Sequence, residues 1–172
     1  INGQAAVATM ACPTTCISAL YGARVVVSTL SISATGANSN GVLVDSGAML
    51  NIQGGMTFGA CGGDQIRVSA RGLLLANSGA TLTGTSVAWL HVINGGFATI
   101  SGTTWTFSSP TYTAYTIGLS GPSGIEALNT ALNGSATGPR FFIHYGSNVR
   151  TSFNGLASAH FFPGSVPGTI QI

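Results

Sequence analysis

The feature that most limits what this chain can fold into is a repeat. Leu20, Val44, Val68 and Val92 follow one another at intervals of 24 residues, and each precedes a short Gly-containing turn and a new apolar run. The four segments read Leu20-Tyr-Gly22-Ala-Arg-Val25, Val44-Asp-Ser-Gly47-Ala-Met-Leu50, Val68-Ser-Ala-Arg-Gly72-Leu-Leu and Val92-Ile-Asn-Gly-Gly96-Phe-Ala, with their glycines stepping from 22 to 47 to 72 to 96. A fixed period of this length marks a solenoid, in which a unit too small to bury its own apolar face stacks on the next unit. Inside the period, Gly41-Val-Leu-Val44 and Gly79-Ala-Thr-Leu82-Thr-Gly84 alternate apolar and small polar residues, the two-residue period of a strand. The 25 glycines supply tight corners between short strands. The expected fold is all-β: a parallel β-solenoid with a coil of 24–25 residues over 20–120, preceded by an extension or linker over 1–19 and followed by a C-terminal cap or tip over 121–172.

The pattern changes beyond residue 120. Ser123-Gly-Ile-Glu126 reads as a capping box, and Ile125, Leu128 and Leu132 fall at spacings of three and seven before Gly134, which predicts a short helix over 124–133. Arg140-Phe-Phe-Ile-His-Tyr145, a Gly-Ser-Asn turn and Val149-Arg-Thr-Ser-Phe153 predict an antiparallel hairpin. Helix and hairpin together would cap the coil stack.

Composition narrows the function classes. Only 5% of the residues are charged, against roughly 25% in ordinary globular domains. So little ionised surface predicts that apolar area is hidden between chains, and a homotrimer is the expected assembly. Arg24, Arg67, Arg71, Arg140 and Arg150 are scattered and the net charge is only +2, so nucleic acid is not an expected partner. No apolar run approaches the length of a membrane helix, and membrane insertion is not expected. The chain opens at Ile1 with no leader-like segment, which reads as a piece of a longer protein. Cys12, Cys16 and Cys61 are too few for a disulfide framework; they read as buried thiols, with a Cys12–Cys16 bridge or an intersubunit bond as the alternative.

The coil stack, together with Ala131-Leu-Asn-Gly134, Gly138-Pro-Arg-Phe-Phe-Ile143 and Phe161-Phe-Pro-Gly-Ser-Val-Pro-Gly-Thr169, resembles the C-terminal β-solenoid region of phage and prophage tail fibres or tailspikes. That resemblance implies a homotrimer on a virion tail, outside the host cell, contacting other tail proteins and a host-surface glycan or protein.

A polysaccharide depolymerase normally needs two convergent carboxylates, and the chain has three acids: Asp45, Asp64 and Glu126. They are read as turn, loop and helix-cap residues, and the chain is read as non-catalytic, with a depolymerase or a bacterial surface adhesin as alternatives. No acid lies near His91, His144 or His160 along the chain; His91, between Leu90 and Val92, is expected to point outward. No cofactor or metal site is expected, although His144 and His160 gathered about a trimer axis would offer ion ligands. Receptor contact falls to the aromatic and basic residues where the repeat degenerates: Trp105, Tyr112, Tyr115, Tyr145 and Arg150.

Overall fold

The computed structural model describes residues 8–144, 146–153 and 163–171, and among these every regular element is a strand. After β1 (Ala8–Cys12), strands come in threes: β2 (Ile17–Ala19), β3 (Arg24–Val27) and β4 (Leu30–Ala34); β5 (Val42–Val44), β6 (Met49–Ile52) and β7 (Met56–Cys61); β8 (Ile66–Val68), β9 (Leu73–Ala76) and β10 (Ala80–Leu82). Later strands run longer, through β11 (Thr85–Ile93), β12 (Phe97–Thr99), β13 (Thr104–Ser120) and β14 (Gly124–Thr137) to β15 (Phe141–Ile143), β16 (Asn148–Phe153) and β17 (Thr169–Ile170).

Each strand pairs in parallel with its counterpart one coil later, which builds three faces. The first face stacks β2, β5, β8, β11, β13, β15 and β17. The second stacks β3, β6, β9, β12, β14 and β16. The third stacks β1, β4, β7, β10, the start of β13 and the end of β14. Partners on the first face confirm the period: Ile17, Val42, Ile66 and Leu90 succeed one another at steps of 25, 24 and 24. The next step, from Leu90 to Ile117, is 27.

Alternation turns every second residue inward, so like positions stack into buried ranks. Val42, Ile66, Leu90 and Ile117 form one rank, Leu50, Leu74, Ala98 and Ile125 another, and Phe58, Leu82 and Phe107 a third. Each fully buried aliphatic side chain contributes about 1.5–3 kcal/mol relative to exposure. The parallel ladder satisfies the backbone between them.

The corner between the first and second faces repeats a pair of left-handed residues. Tyr21–Gly22, Ser46–Gly47, Ala70–Arg71 and Asn94–Gly95 all have positive φ, and Gly22 N–H donates to Ser46 O just as Gly47 N–H donates to Ala70 O. The glycines at 72 and 96 therefore sit one place later than those at 22 and 47. Their demand is space: a Cβ on Gly72 would lie 2.5 Å from the Val44 carbonyl oxygen, and one on Gly96 2.6 Å from that of Val68.

Among the described residues, the helix and hairpin expected beyond residue 120 are replaced by more solenoid. Residues 124–133, read as a helix, belong to β14, which pairs with β12 and β13. Ile125 and Ala127 point inward, Asn129 takes a φ of 52°, and the inward positions then shift to Thr130 and Leu132. That break in register produces the seven-residue spacing of Ile125 and Leu132. Glu126 is no helix cap; it lies within β14, at an outward position, and its carboxylate receives a hydrogen bond from Arg150. Nor do β15 and β16 form an antiparallel hairpin, because β15 pairs in parallel with β13 and β16 with β14. The Gly146 turn rounds a corner between two faces instead of reversing the chain. The ladder also takes in Ala8–Cys12 at the other end, through its pairing with Leu30–Ala34.

Candidate functional site

On the first face, the positions between the inward ranks point to solvent. In ladder order they are Leu43, Arg67, His91, Gly118, Phe142 and Thr169. Gly118 leaves its place open and Tyr115 fills it: a Cβ on Gly118 would lie 2.1 Å from Cε2 of Tyr115, so the ring lies across the glycine. Arg67, His91, Tyr115 and Phe142 thus form a continuous side-chain rank.

Asp64 organises this rank from behind. It lies two residues before the start of β8, its backbone N–H donates to Asn40 Oδ1 at 3.0 Å, and its side chain is only 3% exposed. His91 Nδ1 lies 3.0 Å from Asp64 Oδ2, and Arg67 Nη1 lies 3.5 Å from the same oxygen. With Nδ1–H given to the carboxylate, His91 Nε2 is left as an acceptor, and Tyr115 Oη lies 2.9 Å from it. The hydroxyl is also 3.3 Å from Nδ1, so it sits beside the ring between the two nitrogens. Burial, chiefly, and the Asp64 charge push the Tyr115 phenol up to about 12, with Arg67 pulling the other way. Tyr115 is therefore a stable proton donor and a poor nucleophile. The Tyr115 and Phe142 rings are offset, with centroids 5.8 Å apart and planes 19° apart, and the His144 ring lies beside Phe142, two residues further along the chain.

The five residues singled out for receptor contact separate. Trp105 is buried on the third face, where its Nε1–H donates to Thr103 Oγ1 at 2.8 Å and its ring packs on Trp89 with centroids 5.1 Å apart. Tyr112 is also core: its hydroxyl donates to Gln65 Oε1 at 2.9 Å, and burial raises its pKa. Tyr145 lies outside the described residues, as does His160. Arg150 is exposed on the second face and reaches Glu126 at 3.1 Å, beside an open groove of about 400 Å³ lined by Phe97, Pro122, Asn148 and the ion pair. Of the four that are described, only Tyr115 joins the Asp64 cluster.

The acids do not converge. Asp64 precedes β8, whereas Asp45 follows β5, the in-register neighbour of β8, so they occupy opposite ends of one ladder. Among the described residues, no group of three or more His, Cys, Asp or Glu is placed to hold a metal ion. The three cysteines are free thiols; burial, a hydrogen bond with Cys12 and the Cys12 charge push Cys16 up to about 12.

Sequence reasoning missed Asp64, Arg67 and His91 because it looked for an acid close to each histidine along the chain. The signal was the period itself, since 67, 91 and 115 are separated by 24 and 24 and Asp64 stands one short turn before the first. No protein-family model, curated protein or solved structure matches this chain.

Proposed function

We propose that the chain is a structural, surface-recognising segment of an extracellular fibre such as a phage tail fibre, in which the coils give stiffness and the first face meets a host-surface glycan. The Arg67–His91–Tyr115–Phe142 rank carries this reading. Sugars are held by ring surfaces combined with a few fixed polar groups, and here both are mounted at ladder spacing and oriented by a buried carboxylate. A binding role suits the chemistry better than hydrolysis, because the second carboxylate a glycosidase needs is not beside Asp64 and Tyr115 holds its proton.

The second face supports the homotrimer. Its outward positions from β6 to β12 are Met49, Asn51, Leu73, Leu75, Phe97 and Thr99, with no charge among them, Arg24 standing before this stretch and Glu126 with Arg150 after it, and Phe97 is 42% exposed. A second copy of the chain is the fitting cover for such a surface, since interface cores are depleted in charge. Other tail proteins would hold the fibre on the virion.

The test is to incubate the whole chain with purified bacterial surface polysaccharides, measuring retention and release of reducing ends, and to record its mass by sedimentation. Retention without cleavage, lost in Tyr115→Ala, and a mass three times that of the chain are expected. Cleavage would overturn the non-catalytic reading, and a stable monomer the trimer.

A further inference from the structure

We propose that the first-face rank takes a carboxylate-bearing glycan, a uronic-acid polymer lying along the solenoid axis, with Arg67 as the carboxylate ligand and Tyr115 with Phe142 as the platform for its sugar rings. This rests on reading that face as the glycan surface.

Asp64 and Arg67 differ in accessibility: the carboxylate is 3% exposed and the guanidinium side chain 37%. A group arriving from solvent therefore meets the cationic member of the pair. Arg67 is also only loosely committed, since its contact with Asp64 is a single 3.5 Å approach at the limit of hydrogen bonding, whereas His91 holds the same oxygen at 3.0 Å. A planar guanidinium with donors to spare matches a carboxylate through two parallel hydrogen bonds. No other carboxylate stands in the rank to repel the ligand: Asp45 caps its own turn by accepting from Ser46 N–H, and Glu126 is on the second face with Arg150.

The rest of the rank fits the body of a sugar chain. With Nδ1–H on Asp64 and Nε2 accepting from Tyr115, the Tyr115 oxygen keeps a lone pair for a sugar hydroxyl. The offset Tyr115 and Phe142 rings lie one and two ladder steps beyond His91. From β8 to β15 there are three steps of about 4.8 Å each. That length suits several linked sugars, with the cation at one end and ring surfaces at the other.

The experiment compares matched ligands that differ only at C6: β-1,4-linked glucuronic-acid and mannuronic-acid oligomers against cello- and manno-oligomers of equal length, by calorimetry with the whole chain. At least one uronate oligomer is expected to bind about tenfold or more tightly than its neutral partner, the scale of one charge-assisted contact. Arg67→Gln should erase that preference without changing the β circular dichroism, Arg67→Lys should lose most of it, and Phe142→Ala should weaken both ligands alike. Equal binding of charged and neutral oligomers, or a preference that survives Arg67→Gln, would overturn the carboxylate assignment and leave the glycan face standing. Failure of every oligomer to bind would overturn both.

Discussion

Gln65 offers the sharpest test of how the coils are held, and of where Tyr112 belongs. Its side chain is fully buried; the amide nitrogen donates toward the carbonyls of Gly59 and Thr83, both at 2.9 Å, and Phe58 at 3.2 Å, while its oxygen accepts from Tyr112 Oη at 2.9 Å. Two N–H groups thus serve three carbonyls on two consecutive coils, at the point where the β4–β7 register shifts. Gln65→Leu keeps much of the volume but strands the Tyr112 hydroxyl and removes a donor from each carbonyl. Each buried polar group left without a partner costs about 1–3 kcal/mol. Phe58 O keeps the backbone N–H of Thr83 at 2.8 Å, so the loss falls on the other groups, and about 3 kcal/mol in total is expected.

Tyr112→Phe strands only the Gln65 oxygen and should cost about 1–2 kcal/mol. In the Gln65→Leu background the same change removes an already stranded hydroxyl and should cost nothing or stabilise. Urea unfolding of the four chains, followed by circular dichroism, should then give a coupling of at least about 1 kcal/mol. Additive effects would refute the buried hydrogen bond, and weakened glycan binding by Tyr112→Phe would return Tyr112 to the recognition surface.

Three further outcomes follow from the same geometry. Gly118→Ala should push the Tyr115 ring off the rank, because the new methyl would lie 2.1 Å from Cε2, and glycan retention should fall while the β circular dichroism is kept; unchanged retention would remove Tyr115 from the site. Arg71→Gly should stabilise the chain by about 0.5–1 kcal/mol in urea, since Arg71 has a φ of 63° where the neighbouring coils place glycine, and the relief of left-handed strain exceeds the extra entropy lost by glycine. Raising the pH should destabilise the wild type more than Tyr115→Phe: the folded chain keeps the Tyr115 proton to about 12 against an ordinary 10.0, so this contribution is complete below pH 10.0 and is lost as the pH climbs through about 12. Equal alkaline slopes for the two chains would contradict the burial of that phenol.

The solenoid was legible because stacking imposes its spacing on the sequence. Apolar residues had to recur at 24 for Val44, Val68 and Val92 to line one wall. The same rule carried the site, yet it was not read from the polar residues, whose identities change from coil to coil: Arg67, His91 and Tyr115 share a spacing and no chemistry. The 27-residue coil puts Gly118 at the ladder position after His91, and Tyr115 reaches over it from three residues earlier.

The misread cap shows the opposite failure, a local signal outweighed by its surroundings. Ser123 and Glu126 have the spacing of a capping box, which helps an isolated helix by about 1 kcal/mol per cap. Yet residues 124–137 lie against the open edge of the coil before, where β12 and β13 present backbone donors and acceptors along almost the whole segment. A helix there would leave that edge unpaired and take Ile125, Ala127 and Leu132 out of the core in which they are buried. Ladder and burial together exceed the cap several-fold, so the segment extends the stack. Ser123 has another use: its hydroxyl donates to Ser120 O at 3.0 Å, holding the corner that sends β13 into β14. A polar residue that reads as a helix start thus serves here to turn one strand into the next.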